Sequence, residues 1–329
     1  MSFLVLKRDE IEQLLPMAEC IDAVTAALAA LDAGEMSMPL RAVFTPPGGN
    51  GGMAWMPAHR SGAEPIFGLK ALCVIPSNPS ARGLDAHQGQ VILADGVTGQ
   101  LRALLDASVV TAIRTAAVSA VATHLLARDD AGVIAVIGTG VQARRHLEAI
   151  PLVRPVSEAR IAGRTPERAA QFVASFGGDF PFALVASGSA EDAVRGADVV
   201  VTATNSREPV LDRDWLGAGT HVNAIGASQA VRREIDTRTV ADSVLFTDRR
   251  ESLEHEAGEY RLALEEGRIG PDHLRGELGQ LVAGTVKGRS SDDELTLFRS
   301  LGLAVFDLAA AEHVVTKALA AGVGTTVEF

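Results

Sequence analysis

Two glycines in the stretch GVIAVIGTGVQARRHLEAI, residues 132 to 150, have the spacing of a phosphate-binding turn. Gly138, Gly140 and Ala143 give G-x-G-x-x-A between a continuous apolar run, typical of a buried parallel strand, and a predicted helix. The first glycine permits the tight turn, the second lets a pyrophosphate approach the backbone, and Ala143 lets helix and strand pack closely. The helix N-terminus offers N–H groups and the positive dipole end to the phosphates. The motif predicts a dinucleotide site, the alternative being a turn that merely joins strand to helix.

The next predicted strand ends in Ala162-Gly163-Arg164-Thr165, where an NAD site usually has an acid. Arg164 can bind a 2′-phosphate and Thr165 can add a hydroxyl, which favours NADP(H) over NAD(H). The alternative is a solvated loop arginine in a site that accepts either nucleotide. Thr202 and Thr204, in DVVVTAT, are expected at the carboxyl edge of the sheet, where ligands bind in such folds.

A third stretch, NAIGASQAVRREID at 223 to 236, follows a predicted strand and would face the nicotinamide in a dinucleotide enzyme. The first side chain after the Gly226-Ala227 turn is Ser228, and no acid occurs before Glu234. A serine without an activating neighbour is a poor general base, but it can hydrogen-bond a nicotinamide amide or an iminium nitrogen.

The elements that position these residues alternate between strand and helix. After the strand at 132 to 138 and a helix from Val141 to about Ile150, we expect EARIAGR, the helix TPERAAQFVASFG, ALVAS, the helix SAEDAVRGA, DVVVTAT and THVNAIG. Thr165 can cap the second helix and Pro166 suits its first position. This alternation predicts an α/β fold with a Rossmann-type doubly wound parallel sheet.

The first hundred residues have a different texture. Helical periodicity at 9 to 34 is followed by short segments split by Gly and Pro, and GQVILADGVTGQLRALLD predicts a hairpin in an antiparallel sheet. A long helix starts at Ser108, and the last predicted helix, from 303, can return to the first domain. We expect an α+β domain of residues 1–113 plus 305–329 and a Rossmann domain of residues 114–304.

Bulk composition narrows the function. The chain has 329 residues, a net charge of -11 and a pI near 5.2, which argues against nucleic acid and anionic membranes as partners. We expect a cytoplasmic protein, because the N-terminal apolar run is too short for a signal peptide and no uninterrupted apolar stretch approaches ~18 residues. We expect Cys20 and Cys73 to be two reduced thiols in the core, and the spacing of the cysteines does not indicate a metal site.

Several motifs, in order along nearly the whole chain, resemble the ornithine cyclodeaminase/mu-crystallin family. They are MPLR (38–41), GLKALCVIPSN (68–78), GLDAHQGQVILAD (83–95), TAIRTAA (111–117), IGTGVQARRH (137–146), ADVVVTAT (197–204), GTHVNAIGA (219–227) and LGLAVFDLAAA (301–311). The resemblance implies a homodimer in which the α+β domain binds substrate and pairs its sheet with that of a partner.

The resemblance also implies that Arg41, Lys70 and Arg114 hold a substrate carboxylate. Each lies in a mainly apolar run of a net-acidic chain, where a buried cation is costly unless it binds an anion. Lys70 can also act as an acid if its pKa is lowered. Taken singly, a surface arginine, a snorkelling lysine and a helix-start salt bridge remain the alternatives.

The implied activity depends on position 228. Cyclodeaminases and alanine dehydrogenases of the family have Asp there, whereas ketimine reductases have Ser, as this chain does. We therefore expect an NAD(P)H-dependent reductase of imines of 2-oxo acids, such as pyrroline-2-carboxylate, piperideine-2-carboxylate or iminosuccinate, with the nicotinamide near Ser228 and Arg114. The alternatives are an ornithine or lysine cyclodeaminase or alanine dehydrogenase, and a non-catalytic NADP(H)- or ligand-binding protein of crystallin type.

Other residues are assigned around this site. A dicarboxylate would need a further cation from His59, His87, Arg232 or Arg233, and Met53, Trp55 and Met56 are expected in the pocket wall. The residues expected to hold the cofactor are Thr115, Gly138, Gly140, Val141, Gln142, Arg164, Thr165, Thr202, Thr204, Ile225, Ser228 and Arg232.

Overall fold

The chain is divided between two units in a computed structural model, which describes residues 2–227 and 229–328 apart from the side chain of Ser80. The first unit comprises Met1–Thr115 and Leu303–Phe329, and the second comprises Ala116–Gly302. Substrate binding and dimerisation by the first part of the chain stay predictions, as does cofactor binding by the second.

The strands, in chain order, are β1 (Ser2–Leu6), β2 (Met36–Ser37), β3 (Ala42–Phe44), β4 (Gly52–Arg60), β5 (Ile66–Val74), β6 (His87–Asp95), β7 (Leu101–Asp106), β8 (Val133–Ile137), β9 (Glu158–Ala162), β10 (Ala183–Ala186), β11 (Val199–Thr202), β12 (His221–Ala224), β13 (Val244–Thr247), β14 (Leu274–Glu277), β15 (Thr296–Arg299) and β16 (Thr325–Glu328). The α-helices are α1 (Arg8–Leu14), α2 (Met17–Asp32), α3 (Asn78–Arg82), α4 (Ala107–Leu126), α5 (Val141–Ala149), α6 (Pro166–Phe176), α7 (Ala190–Val194), α8 (Thr237–Asp242), α9 (Arg250–Glu256), α10 (Gly258–Glu265), α11 (Leu278–Val282) and α12 (Ala304–Ala321).

The first unit is built on a sheet of order β16-β1-β7-β6-β5-β4-β2, with β3 also paired to β4. The predicted hairpin is confirmed as β6 and β7, and β4 to β7 run antiparallel. The register places Lys70 of β5 between Met56 of β4 and Val91 of β6, and all three are buried. Because side chains alternate along a strand, this face carries the core of the unit.

The helical periodicity at 9 to 34 corresponds to two helices and not one. α1 ends at Leu14, α2 begins at Met17, and their axes differ by 81°. Pro16 between them explains the break, since it has no backbone N–H and restricts the residue before it.

Cys73 corrects the expectation of two core thiols. Cys20 is buried in α2, but Cys73 is exposed. On β5 the buried positions include Gly68, Lys70 and Leu72, so alternation turns Cys73 to the opposite face.

The second unit contains a parallel sheet of order β10-β9-β8-β11-β12-β15-β13-β14. Ile134 and Val136 belong to one apolar cluster, whereas Ala135 and Ile137 belong to another, so both faces of β8 are buried. Continuous apolar strands follow from burial on two faces. The predicted doubly wound α/β fold is therefore confirmed, with strand order reversing at β8.

The predicted helix from Ser108 is α4. The length and composition of α4 would suit a membrane span. A search for uninterrupted apolar stretches does not find this helix, because Arg114 and His124 interrupt the apolar run. Most of its apolar window, 78%, is buried inside the protein, as in the core helix of a globular fold.

Candidate functional site

Three charged side chains of the first unit meet in its interior. Lys70 comes from β5, Arg114 from α4 and Asp307 from the first turn of α12, and they are 3%, 4% and 1% exposed. Lys70 Nζ lies 2.8 Å from Asp307 Oδ2, and Arg114 Nε donates to Asp307 Oδ1 at 2.9 Å. Two cations thus share one carboxylate, which leaves positive charge for a further anion when Lys70 is protonated.

The surroundings of this cluster shift its protonation. Burial lowers the pKa of Lys70 to about 7, the charge of Arg114 acts in the same direction, and Asp307 opposes both. Burial works against ionisation of Asp307, but Arg114 and Lys70 outweigh it and hold its pKa below the ordinary value. At neutral pH the site therefore contains an ionised acid and an amine that can gain or lose a proton.

Two further predicted residues lie close enough to act on this cluster electrostatically. The charge of Arg41, a half-buried residue just before β3, contributes to the lowered pKa of Lys70. His87, at the start of β6, is exposed to solvent as a residue, yet desolvation of its ring and the charges of Lys70 and Arg114 lower its pKa. The structure thus brings Arg41, Lys70 and Arg114 into one neighbourhood.

Asp307 is the member of this cluster that the sequence analysis did not single out. It lay inside the quoted motif LGLAVFDLAAA, where it is the only charged residue in an apolar run. A lone acid in such a run was the available signal, because a buried carboxylate requires a cationic or hydrogen-bonding partner.

At the carboxyl edge of the parallel sheet, the two motif glycines have different surroundings. Gly138 has φ +135°, and a Cβ there would lie 2.4 Å from the carbonyl oxygen of Ala203, so the fold itself requires glycine. Gly140 has φ -94°, and a Cβ there would meet nothing within 4 Å. Open space in front of this residue fits the approach of a pyrophosphate.

The start of α5 fits the same ligand. Gly140 caps the helix without a side-chain hydrogen bond, which leaves backbone N–H groups of the first turn for an anion. Val141 is 54% exposed, and Gln142 has a buried Oε1 with no hydrogen-bond partner in the described part of the chain. A nucleotide ribose hydroxyl is a suitable donor for that oxygen.

Glu234, also within the second unit, organises the predicted threonines. It is fully buried, and Thr202 Oγ1 donates to its Oε2 at 3.0 Å. Thr204 donates to Oε1 through its backbone N and its Oγ1, at 2.6 and 2.7 Å. Because both hydroxyl protons are used, Thr202 and Thr204 shape the edge of the sheet, and direct cofactor contact by either stays a prediction.

Arg164, Thr165 and Arg232 were also predicted to bind the cofactor, and each has different surroundings. Arg164 is exposed after β9, and Thr165 occupies the cap position of α6 without a capping bond, since its hydroxyl donates to Glu167 and lowers the pKa of that acid. Arg232 Nη1 donates to the carbonyl oxygen of Asn205 at 3.0 Å.

Two more predicted residues, Ile225 and Thr115, donate hydrogen bonds to neighbouring carbonyl oxygens. Ile225 continues β12 by donating its N–H to Thr202, at 3.0 Å. Thr115 belongs to the first unit, where its hydroxyl donates to the Thr111 carbonyl at 2.7 Å. Ser228 lies outside the described residues.

The predicted pocket wall divides between two faces of the sheet. Met56 is buried beside Lys70, but Met53 and Trp55 are 44% and 38% exposed on the opposite face, and His59 packs against Phe67 at 4.6 Å between ring centroids. Only Met56 therefore shares the face of the charged cluster. Among the described residues, no group of three or more metal-ligating side chains comes together.

Comparison with known proteins gives consistent results. The sequence model described as the ornithine cyclodeaminase/mu-crystallin family matches residues 1–322. The chain is 34% identical over 327 residues to Delta(1)-pyrroline-2-carboxylate reductase of Bacillus cereus, covering 99% of this chain and 100% of that protein.

Two solved structures are similarly close. That of Thermococcus litoralis Delta(1)-pyrroline-2-carboxylate reductase in complex with NADH and L-proline has a TM-score of 0.95 and 36% identity, covering 99% of this chain and 100% of that one. An archaeal alanine dehydrogenase dimer with bound NAD has a TM-score of 0.93 and 34% identity, with both chains fully covered.

Proposed function

Since the chain belongs to the ornithine cyclodeaminase/mu-crystallin family, we propose that it reduces the C=N bond of imines of 2-oxo acids with a nicotinamide cofactor. The observation that carries this proposal is the buried cluster of Lys70, Arg114 and Asp307. Two cations and one acid in an apolar interior fit a monocarboxylate ligand, which would neutralise the remaining charge.

The substrate carboxylate is bound by Arg114 together with Arg41 and Lys70. Arg114 contacts Asp307 through Nε, and its terminal NH₂ groups make no hydrogen bond to any described residue. A guanidinium edge of this kind can bind a carboxylate through two parallel hydrogen bonds. This holds the imine carbon in one orientation, which is the main requirement for a hydride transfer.

Lys70 is the proton source. Reduction of an imine adds a hydride to carbon and a proton to nitrogen, so a nearby acid with a pKa near neutrality is effective. The pKa of about 7 meets that condition. Desolvation and the charges of Lys70 and Arg114 lower the pKa of His87, which weakens it as the further cation that a dicarboxylate such as iminosuccinate would need.

The cofactor-binding residues belong to the second unit. When bound, the nicotinamide cofactor supplies the hydride that reduces the imine carbon. Gly140 and the first turn of α5 receive the pyrophosphate, and Gln142 accepts a hydrogen bond from a ribose hydroxyl. Ser228, by its residue type, hydrogen-bonds the nicotinamide amide or the iminium nitrogen but does not act as a base.

We propose a preference for NADP(H). Arg164 is an exposed cation directly after β9, where a 2′-phosphate would be recognised, and no acid ends the strand. Glu167, hydrogen-bonded by Thr165, is the residue that opposes this preference, since its carboxylate would repel a phosphate.

The partner is a second copy of the chain. The sheet face opposite Lys70 carries exposed Met53, Trp55 and Phe67, and a similar alanine dehydrogenase is a dimer. Burial of such a face by an identical one gives a symmetric interface. Light scattering on the full chain measures it, and a monomer at micromolar concentration would contradict it. We expect the cytoplasm as its compartment.

The test of function is oxidation of NADPH and NADH with pyrroline-2-carboxylate, piperideine-2-carboxylate, and oxaloacetate plus ammonia. We expect rapid turnover of a cyclic ketimine, and Lys70→Ala should lower kcat/KM by at least about 100-fold. Lys317→Ala on α12, which breaks an ion pair with Glu19 of α2, is the matched control and should keep full activity.

Other outcomes assign other functions. Faster reaction with pyruvate plus ammonia would indicate an alanine dehydrogenase, and ammonia release from ornithine would indicate a cyclodeaminase. Tight binding of the cofactor with no turnover of any of these compounds would leave a ligand-binding protein and overturn the proposal.

A further inference from the structure

We propose that Asp307 is a positioning residue of the reductase site, which holds Lys70 and Arg114 in one arrangement and keeps Lys70 protonated for the reaction. This inference deepens the proposed function and rests on it. Asp307 is 1% exposed and contacts both cations, so we infer that it acts on the substrate through them.

The position of Asp307 in the fold supports an electrostatic role. It lies in the first turn of α12, whose positive dipole end stabilises a carboxylate. α12 packs on β5, the strand that carries Lys70. Its neighbours Phe306 and Leu308 are buried apolar residues, so the charge has its partners in the cluster and not in solvent.

The geometry assigns one oxygen to each cation. Oδ2 lies 2.8 Å from Lys70 Nζ, and Oδ1 accepts the bond from Arg114 Nε at 2.9 Å. Thr111 Oγ1, 3.4 Å from Nζ, is a weaker third contact on Lys70. A carboxylate that bridges two side chains from separate elements fixes the distance between them, as a positioning residue must.

The charges explain why the acid is needed. Without Asp307, protonated Lys70 would be buried beside Arg114 with no counter-charge, and the lysine would lose its proton. The ionisable groups that face the cluster from the surrounding elements are Cys20 on α2, Arg41 before β3, His87 on β6, Arg114 on α4 and Asp307 on α12. The pKa of Cys20 is raised to about 12 and that of His87 is lowered, so Asp307 is the one among them that offsets the cations at neutral pH.

A test independent of turnover is available because the chain contains only four lysines, at positions 7, 70, 287 and 317. In full-length protein with ¹³C,¹⁵N-labelled lysine, the side-chain signal that disappears in Lys70→Ala is assigned to Lys70. We expect this signal to titrate near neutral pH in the wild type. In Asp307→Asn its midpoint should fall by about one pH unit or more, because one opposite charge at contact distance is removed.

The direction of the shift separates this role from a structural one. Loss of local structure would expose Lys70 and move its midpoint up toward the ordinary value for lysine, opposite to the expected change. An unchanged or raised midpoint in folded Asp307→Asn would overturn the inference. Glu312→Gln, on the same helix and in an ion pair with Arg60, is the control and should leave the midpoint in place.

Steady-state kinetics provide a second test of the role of Asp307. In Asp307→Asn we expect kcat/KM for the ketimine to fall about 10- to 100-fold, with its decline at high pH moved to lower pH. Asp307→Glu keeps the charge and displaces it, so the Lys70 midpoint should stay near the wild-type value while kcat falls. If Asp307→Asn does not fold, full kcat in Asp307→Glu would overturn the inference.

Failure of the proposed function is a different result. It would appear as absence of ketimine turnover in the wild type, with the Lys70 titration unaffected.

Discussion

Both units bury carboxylates, and two of these, Asp307 of the first unit and Glu234 of the second, are balanced in different ways. Asp307 of the first unit faces the cations Lys70 and Arg114, whereas Glu234 of the second unit accepts hydrogen bonds from neutral groups only among its described contacts. Both are almost completely withdrawn from water, at 1% and 0% exposure. The cost of burying a charge is thus offset in one case by opposite charges and in the other by donors.

The difference has a consequence for function. Burial and the like charge of Arg114 lower the pKa of Lys70 to about 7 against the opposing effect of Asp307, which makes Lys70 a group that can exchange a proton during a reaction. The donors around Glu234 are backbone N–H groups and hydroxyls, which do not titrate near neutrality. They join the ends of β11 and β12 to the loop between Gly226 and Glu234, so this carboxylate fixes shape.

The largest expected effect comes from removing the acceptor at Glu234. Each carboxylate oxygen accepts a bond from a backbone N–H, of Thr204 on Oε1 and of Gly226 on Oε2, both at 2.6 Å. In Glu234→Gln the amide NH₂ would face a backbone donor in either orientation. We expect a loss of about 3–5 kcal/mol in the free energy of unfolding, measured by urea denaturation.

Glu208→Gln, an exposed acid of the same unit, is the control for that experiment and should unfold like the wild type. If Glu234→Gln proved as stable as the control, neutral donors would not be what balances the buried carboxylate, and the contrast with Asp307 would fail.

The second effect concerns stability against pH in Lys70→Met. The pKa of Lys70 is about 7 in the folded chain, against 10.5 ordinarily, so the unfolded chain binds more protons between these values. Wild-type stability relative to Lys70→Met should therefore rise from pH 7 to about 10, by up to about 1.4 kcal/mol per pH unit. The penalty is fully present below pH 7, where Lys70→Met should equal or exceed the wild type in stability while losing activity.

Urea denaturation of both proteins at pH 7 and pH 9 measures this difference. Titrations of groups that the charge of Lys70 does not affect cancel between the two proteins. A difference in unfolding free energy that does not change with pH would mean that Lys70 has an ordinary pKa in the folded state.

A contrast between local patterns and long-range contacts explains which elements could be predicted from the sequence. The strands and helices of the sheet at 132 to 224 follow from local patterns of apolar runs and turns, and the structure has them in the predicted order. The elements from α8 to β15 were not predicted, because their segments are short and their register depends on partners far along the chain. The break at Pro16 was missed because apolar periodicity continues across it.

The site residues also divide into those that could be predicted from the sequence and those that could not. Arg41, Lys70 and Arg114 could be named from sequence because their motifs resemble those of a family. Asp307 and the role of Glu234 depend on contacts between residues far apart in sequence, 193 residues in the case of Arg114 and Asp307. A lone acid in an apolar run signals that Asp307 needs a partner, but the fold alone identifies which residues those partners are.

The smallest expected effect concerns a cation that is not buried. Arg164 is exposed, with no ion pair to any described residue, so a phosphate there would be bound through solvent-screened charge. We expect Arg164→Ala to weaken NADPH binding about tenfold at low salt and less at high salt, with NADH binding unchanged. Fluorescence titration of each nucleotide measures this, with Arg268→Ala, another exposed arginine of the second unit, as control. Equal losses for both nucleotides would place Arg164 on the shared part of the cofactor and remove the reason to prefer NADP(H). A loss for NADPH alone would show that an exposed charge selects the nucleotide, in contrast to the buried charges of the first unit, for which we propose carboxylate binding.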